Sequence, residues 1–269
     1  MSLPTTYLFV PGNRPDRFDK ALNSGADAII LNLEDAVDPA SKDAAREAVA
    51  GWLGGGHTKD GRVLIRINDD TTPWYSGDCG LLDRFGSVGV VLPKAERAEQ
   101  IAALPRHGSG RIVVPLIETA RGLRAVDEIA GADGVQRLAF GTLDFAADLD
   151  LSGDERGLIP PAMMIALASR CAEKASPIAG VTPAIDDTDA LKRDLDFARA
   201  FGFTAKLCIH PAQVAAVREA LAPSPAEQDW ARRVIAAAQA GTGAVQLDGR
   251  MVDRPVLLKA QSILDRASS

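Results

Sequence analysis

Eight short apolar runs recur along this chain of 269 residues, and most of them end on a charged or amide residue. Nearly uninterrupted apolar runs are typical of parallel strands that are buried on both faces of a sheet. Helix-like segments separate them, a pattern that indicates strand–helix–strand units. The runs are Tyr7–Gly12, Ala28–Asp35, Val63–Asn68, Gly89–Lys94, Arg111–Glu118, Arg137–Asp144, Ser176–Thr182 and Ala205–His210.

Eight such strands predict an α/β fold, the closed (β/α)8 TIM barrel, rather than an open doubly wound sheet. A Gly-x-Gly-x-x-Gly motif is missing after the first run, and there is no P-loop sequence. We expect the barrel to occupy residues 1–221 and a C-terminal helical extension, or lid, of the same domain to occupy residues 222–269. The predicted barrel helices are 14–24, 42–53, 95–104, 120–130, 160–174, 188–201 and 211–221. The extension should hold a helix over 224–240, a break at 241–243, a turn at 247–250 and a final helix to about residue 266.

The net charge and the cysteines argue against a nucleic-acid-binding protein, a zinc protein and a disulfide-rich protein. A net charge of −6 and a pI near 5.2 argue against nucleic-acid binding, which relies on a basic surface. Three unpatterned cysteines give neither a zinc spacing nor a disulfide framework. Neither a signal peptide nor a membrane-spanning run is recognisable. We therefore expect a cytoplasmic protein that acts on small molecules.

Two carboxylates, Glu118 and Asp144, close the fifth and sixth runs. Neighbouring barrel strands lie about 4.8 Å apart, so carboxylates at their ends can share one hard cation. Oxygen donors without a neighbouring His or Cys favour Mg²⁺ over zinc. The alternative is that each carboxylate caps the helix that follows it. The pair on neighbouring strands favours a metal site.

Arg66 ends the third run together with Asn68. A guanidinium there can bind a substrate carboxylate through two hydrogen bonds. It can also form an ion pair with Glu34 or Asp35 at the end of the second run, and the two roles are compatible.

Lys94 and His210 close the fourth and eighth runs. A strand-end lysine allows a Schiff-base aldolase mechanism, which needs a lysine of lowered pKa. The surrounding carboxylates should instead keep Lys94 charged, so we interpret it as an electrostatic organiser. His210 is either a general base or a residue that orients the loop before Pro211, and a structural role is favoured. His57 and His107 fall in glycine-rich loops and are expected to be exposed.

Taken together, these motifs resemble the citrate lyase beta-subunit family of the HpcH/HpaI aldolase superfamily, which includes malyl-CoA and citramalyl-CoA lyases. The resemblance covers nearly the whole chain. The matching motifs are Leu8-Phe-Val-Pro-Gly12, Leu33-Glu-Asp-Ala-Val37, Arg66-Ile-Asn68, Leu92-Pro-Lys94, Leu116-Ile-Glu-Thr119, Phe140-Gly-Thr-Leu-Asp-Phe145, Lys206-Leu-Cys-Ile-His-Pro211 and Met251-Val-Asp253.

The resemblance implies a homotrimer or hexamer that makes or cleaves a carbon–carbon bond between an acyl-CoA and a 2-oxoacid. It implies that Glu118 and Asp144 bind Mg²⁺, and that Arg66 holds the oxoacid carboxylate. It also implies that Asp253 is the acid/base residue, often presented to the barrel of a neighbouring subunit. Glu34, Asp35 and Lys94 would line the substrate site. The segment with Pro11, Arg14 and Lys20 would receive CoA.

Three segments depart from the family pattern. Asn32-Leu-Glu-Asp35 stands where the family often has Asp-Leu-Glu-Asp, and Gly141-Thr-Leu-Asp-Phe145 stands where lyase subunits commonly have Gly-Ala-Glu-Asp-Leu. The segment Thr182–Asp187 is more typical of stand-alone relatives than of a citrate-fermentation subunit. These differences argue against citryl-CoA as the substrate and leave the predicted metal site unchanged.

The leading hypothesis is therefore an Mg²⁺-dependent lyase of a 3-hydroxyacyl-CoA dicarboxylate such as malyl-, citramalyl- or citryl-CoA. One alternative is a metal-dependent class II aldolase that uses a free 2-oxoacid and an aldehyde. A second alternative is a non-catalytic metabolite-binding subunit, in which the strand-end carboxylates would be structural.

Overall fold

The computed structural model of the chain describes residues 3–57, 61–105, 111–240 and 245–267. Within these ranges, no helix has both the length and the apolar character needed to cross a membrane. The described residues form two compact units, one of residues 4–217 and one that begins at Arg218 and includes Leu3. His107 and the predicted break at 241–243 lie outside the described residues.

The first unit is a closed barrel of eight parallel strands, and each strand pairs with the next one along the chain. The eighth strand pairs with the first, so that Lys206 lies opposite Thr6. The predicted (β/α)8 barrel is confirmed. The strands are β1 (Thr6–Pro11), β2 (Ala28–Asn32), β3 (Val63–Arg66), β4 (Gly89–Leu92), β5 (Val113–Ile117), β6 (Ala139–Phe140), β7 (Ile178–Ala179) and β8 (Ala205–Cys208).

The interior of the barrel is one apolar cluster to which all eight strands contribute buried side chains. Strand side chains alternate with a period of two, so the residue two positions beyond an interior residue points the same way. On three strands that position carries a buried polar side chain at the C-terminal end of the barrel, which we call the mouth. These residues are Asn32, Arg66 and Glu118, which follow Ile30, Leu64 and Leu116.

Helices surround the barrel at each of the seven predicted segments, and two further helices, α3 and α7, were not predicted. The ten are α1 (Phe18–Leu22), α2 (Lys42–Trp52), α3 (Tyr75–Arg84), α4 (Ala98–Ala102), α5 (Ala120–Arg124), α6 (Val126–Gly131), α7 (Thr142–Asp148), α8 (Ile159–Cys171), α9 (Thr188–Ala200) and α10 (Pro211–Leu221).

The strand β6 is much shorter than the apolar run that predicted it. The chain leaves the sheet at Gly141, whose carbonyl accepts a hydrogen bond from Phe145 N at 3.0 Å and so opens α7. Asp144 therefore lies in the first turn of α7. The expectation that Asp144 closes the sixth strand was wrong, whereas Glu118 does follow β5 directly.

The second unit is built from α11 (Pro225–Ala240), a hairpin of β9 (Val245–Leu247) and β10 (Arg250–Val252), and α12 (Arg254–Ala267). Asp248 and Gly249 have φ values of 51° and 75°, as a two-residue hairpin turn requires. Ala231 and Val234 of α11 pack with Ala260 and Ile263 of α12. The predicted helices and turn of the extension are confirmed.

Candidate active site

Glu118 is the most deeply buried carboxylate at the mouth, with 3% of its surface exposed. Its Oε1 accepts a hydrogen bond from Lys94 N at 2.7 Å. Burial raises the pKa of Glu118 to about 8, with smaller contributions from the charges of Glu34 and Asp144, although the Lys94 N–H and Arg66 act in the opposite direction. The hydrogen bond and the positive charge near Glu118 do not offset the cost of burying its ionised form. A cation bound there would stabilise the ionised carboxylate.

In the part of the chain that the structure describes, neither Glu118 nor Asp144 caps a helix. Thr119 caps α5 by accepting a hydrogen bond from Gly122 N at 3.0 Å, and Asp148 accepts one from Ala120 N at 2.8 Å. No side chain caps the first turn of α7. The helix-capping alternative for these two carboxylates is therefore wrong.

The connection from β6 to α7 packs directly against Glu118. A Cβ atom at Gly141 would lie 2.6 Å from Cβ and 2.7 Å from Oε2 of Glu118, closer than real side chains approach. The glycine thus lets the first turn of α7, with the exposed side chain of Asp144, lie beside the buried carboxylate. Asp144 is close enough for its charge to raise the pKa of Glu118.

The donor set at the mouth fits Mg²⁺. Within the described ranges, no three His, Cys, Asp or Glu side chains are grouped to hold a metal. Mg²⁺ commonly takes only one or two protein carboxylates and completes its octahedral shell with water and substrate oxygens. Glu118 and Asp144 could supply those two carboxylates, because Oε2 of Glu118 accepts no hydrogen bond from a described residue.

Arg66 is held on one side and unpaired on the other. Its Nε donates to Asn32 Oδ1 at 2.9 Å, and its Nη2 lies 2.8 Å from Glu34 Oε2 and 3.4 Å from Asp35 Oδ2. The contact between Arg66 and Glu34 is an ion pair and not a hydrogen bond, because Glu34 Oε2 accepts no hydrogen bond from a described residue. The guanidinium lies over the Phe9 ring at 5.0 Å. Among the described residues Nη1 has no partner, so it is available to a ligand at the mouth.

Lys94 lies among carboxylates, as expected, and Asp69 is one of them although the sequence did not single it out. Its Nζ is 3.5 Å from Asp69 Oδ2 and 3.7 Å from Glu34 Oε1, while Glu118 binds its backbone N–H. Burial acts to lower the pKa of Lys94, but Glu34 and Asp69 outweigh it and raise the pKa. A lysine held in its charged form is a poor Schiff-base nucleophile. Its φ of 44° brings strain that is common at functional sites.

Asp69 is a site residue that the sequence did not single out. Thr71 N and the Thr71 hydroxyl donate to its Oδ1, which leaves Oδ2 towards Lys94. Asp69 follows Asn68 in a polar stretch of the sequence. No apolar periodicity there predicts which way a side chain points. The only signal was its position just after a strand end.

His210 contributes to the start of α10. Its Nδ1 accepts a hydrogen bond from Ala212 N at 3.2 Å, and its carbonyl accepts one from Gln213 N at 3.1 Å. These contacts agree with the structural interpretation of His210.

The sequence of this chain matches the model of a known enzyme family. The family is HpcH/HpaI aldolase/citrate lyase, and the match covers residues 5–211. The chain belongs to this family. A citrate lyase subunit beta-like protein of Mycobacterium tuberculosis is 38% identical over 97% of this chain and 94% of its own length. A (3S)-malyl-CoA thioesterase of Cereibacter sphaeroides is 28% identical over 98% of this chain and 94% of its own length.

A crystal structure of CitE from Mycobacterium tuberculosis, in complex with magnesium, acetoacetate and coenzyme A, superposes with a TM-score of 0.88. It is 37% identical in sequence, and the match covers 98% of each chain. The chain is thus an enzyme of the citrate lyase beta-subunit-like class within the HpcH/HpaI family.

The residues that the family resemblance assigns to CoA lie at the end of β1, in the connection that follows it, and in α1. Pro11 ends β1, and its carbonyl accepts a hydrogen bond from Arg14 N at 3.0 Å. The Arg14 guanidinium donates to both carboxylate oxygens of Asp16, at 2.9 and 2.8 Å, while Lys20 is exposed on α1. Exposed ion pairs of this kind contribute little free energy, so an anionic ligand can displace Asp16.

Asp253, for which the family resemblance implies an acid/base role, belongs to the second unit and precedes α12. Its Oδ1 accepts a hydrogen bond from Val256 N at 3.1 Å, and its side chain is exposed. Its Oδ2 has no hydrogen-bond partner among the described residues. One carboxylate oxygen thus caps the start of α12, and the other accepts no hydrogen bond from a described residue.

Proposed function

We propose that this protein is an Mg²⁺-dependent carbon–carbon lyase that cleaves, or forms, a 3-hydroxyacyl-CoA dicarboxylate such as malyl-, citramalyl- or citryl-CoA. The products of cleavage are an acyl-CoA and a 2-oxoacid. The observation that carries the proposal is the buried carboxylate of Glu118, which has Asp144 and the unpaired Nη1 of Arg66 as neighbours at the barrel mouth.

Arg66 binds the carboxylate of the oxoacid portion of the substrate. Asn32 contacts Nε and Glu34 contacts Nη2 of the guanidinium, so the orientation of Arg66 is set before the ligand binds. A guanidinium held in this way loses little entropy when it forms hydrogen bonds to a carboxylate.

Glu118 and Asp144 would hold Mg²⁺, whose charge, when bound, stabilises the negative charge that develops on the keto oxygen. The Lys94 N–H fixes the orientation of the Glu118 carboxylate. The Lys94 ammonium offsets part of the negative charge of Glu34 and Asp69.

Asp253 moves the proton on the thioester carbon. In cleavage, the C3 hydroxyl gives its proton to the Asp253 carboxylate and becomes the keto group as the bond between C2 and C3 breaks, with the electron pair of that bond remaining on C2. Asp253 then donates this proton to C2, and in synthesis both proton transfers run in reverse. Pro11, Arg14 and Lys20 receive the CoA portion.

A homo-oligomer, trimeric or hexameric, is part of the proposal. The exposed apolar side chains on α8 support self-association, since such surfaces are commonly buried against a partner. They are Ile159, Met163, Met164 and Leu167.

The thioesterase relative gives a second candidate function, hydrolysis of the thioester without carbon–carbon cleavage. A panel of malyl-, citramalyl- and citryl-CoA with Mg²⁺ separates the two. A lyase releases glyoxylate, pyruvate or oxaloacetate in equal amount to acyl-CoA, whereas a thioesterase releases free CoA and no oxoacid. Turnover of a free oxoacid and an aldehyde, with no turnover of any thioester, would instead identify the class II aldolase.

A further inference from the structure

Asn68, the last residue of the third apolar run, belongs to a buried polar network that joins the end of the barrel to helices α2 and α3. Its Oδ1 accepts a hydrogen bond from Lys42 Nζ at 2.7 Å, and its Nδ2 donates to Asp78 Oδ2 at 2.7 Å. Asn68 and Asp78 are each at most 1% exposed, and Lys42 is 5% exposed. The function proposed above does not account for this network.

Lys42 is a lysine whose three N–H donors are all used inside the protein. Besides Asn68, its Nζ donates to the carbonyls of Leu33 and Glu34, at 2.8 and 2.9 Å. The ammonium therefore joins the connection after β2 to the connection after β3. A buried ammonium is costly unless all its donors are satisfied, and this geometry satisfies them.

The other end of the network is fixed on the same helix. Arg46 lies one turn after Lys42 on α2, and its Nε donates to Asp78 Oδ1 at 2.8 Å. Asp78, on α3, also accepts a hydrogen bond from Asn68 N at 2.8 Å. Two cations of α2 and one carboxylate of α3 thus hold the Asn68 amide in one orientation.

We propose that Lys42 is a positioning residue, whose ammonium fixes the backbone of Leu33 and Glu34 so that the Glu34 carboxylate meets Arg66 in the orientation that binds the oxoacid. The ion pair of Glu34 with Arg66, at 2.8 Å, is the link between the network and the mouth. This inference rests on the proposed function, because it assigns to Arg66 the binding of the oxoacid carboxylate.

The test compares Lys42→Met with Arg111→Met. Arg111 is also a buried cation that donates to backbone carbonyls, those of Leu82 and Val88, but it precedes β5 and so lies at the opposite end of the barrel. With Mg²⁺ at saturation, we expect Lys42→Met to weaken pyruvate or glyoxylate binding by calorimetry about tenfold or more, while kcat at saturating substrate falls much less. Arg111→Met should lower the unfolding midpoint and leave that affinity unchanged.

Hydrogen exchange of the peptide over residues 33–37 gives a readout that does not depend on activity. Val37 N donates to Glu34 O at 2.9 Å in this segment, and its exchange should accelerate in Lys42→Met but not in Arg111→Met. Unchanged exchange and affinity in Lys42→Met, or equal losses in Arg111→Met, would overturn the inference. If Lys42→Met does not fold, oxoacid affinity and hydrogen exchange are measured on Asp78→Asn instead. A wild-type protein that binds no oxoacid would refute the proposed function, whereas the exchange comparison separately decides whether Lys42 fixes the backbone of Leu33 and Glu34.

Discussion

Among the residues of the mouth, Glu118 combines deep burial with two neighbouring negative charges, from Glu34 and Asp144. An unfolded glutamate titrates near pH 4.3, whereas burial raises the pKa of Glu118 to about 8 in the folded protein without metal. Between these values the folded protein retains a proton that the unfolded chain has lost. The contribution of Glu118 to stability is therefore present at low pH and is lost as the pH rises through about 8.

We expect the metal-free protein to lose free energy of unfolding between about pH 5 and pH 8 relative to Glu118→Gln, which has no carboxyl to titrate. Saturating Mg²⁺ should reverse the loss in the wild type only, because a cation stabilises the ionised carboxylate. Urea unfolding of both proteins in EDTA and in Mg²⁺ checks this expectation. Parallel pH profiles of the two proteins in EDTA would contradict the assigned environment of Glu118.

The alternation of side chains explains which site residues the sequence could reveal. Glu118 and Arg66 end apolar runs and keep the inward direction of Leu116 and Leu64, so their place at the mouth followed from the pattern. Asp69 and Lys42 lie in a loop and on a helix, where a charged residue usually faces water. Their roles depend on contacts between distant segments, which a single sequence does not show.

At the scale of secondary-structure elements, the connection between β6 and α7 sets the distance between the two carboxylates. Gly141 permits this connection to lie against Glu118, since a Cβ there would be 2.7 Å from Oε2. Gly141 therefore shapes the proposed metal site without supplying a ligand to it.

Gly141→Ala should weaken Mg²⁺ binding by about tenfold or more, because the added methyl group displaces the Glu118 carboxylate. Gly80→Ala is the matched control, since Gly80 lies inside α3 and an added methyl group there would have no neighbouring atom within 4 Å. That control should raise the free energy of unfolding by about 0.5–1 kcal/mol and leave Mg²⁺ affinity unchanged. Metal titration and urea unfolding of both variants provide the measurements, and equal Mg²⁺ affinity in both would exclude the proposed control by Gly141.

The elements that the sequence missed have local causes. Helix α3 contains Gly77 and Gly80, and its buried Asp78 interrupts the apolar face that would mark a helix. Helix α7 begins inside an apolar run because β6 ends after two residues, a length set by the turn at Gly141. The strands of the barrel were predictable because burial on both faces leaves an uninterrupted apolar signature, whereas β9 and β10 of the exposed hairpin lack that signature and only their turn was predicted.

At the scale of the whole molecule, the two compact units divide the proposed chemistry. The barrel unit carries the metal and oxoacid residues, and the C-terminal unit carries Asp253. This division predicts that binding and proton transfer can be separated by substitution.

Asp253→Asn should slow turnover by about a hundredfold or more while Mg²⁺ and oxoacid affinities stay unchanged, because an amide cannot exchange the proton. Asp248→Asn is the control in the same unit, since Asp248 lies in the hairpin turn and pairs there with Arg233. Steady-state kinetics with calorimetry of both variants gives the comparison. Loss of oxoacid binding in Asp253→Asn would refute the acid/base role.

The proposed function requires that carbon–carbon cleavage depend on a metal ion held by Glu118 and Asp144. Oxoacid release from the preferred thioester is measured for the wild type, Glu118→Ala, Asp144→Ala and Asp148→Asn, each with Mg²⁺ and with EDTA. Asp148 contacts the start of α5 rather than the proposed metal, so Asp148→Asn should retain Mg²⁺ binding and cleavage. We predict that Glu118→Ala and Asp144→Ala each abolish both, and that EDTA stops the wild type. Cleavage that persists in EDTA, or in Glu118→Ala, would contradict the account.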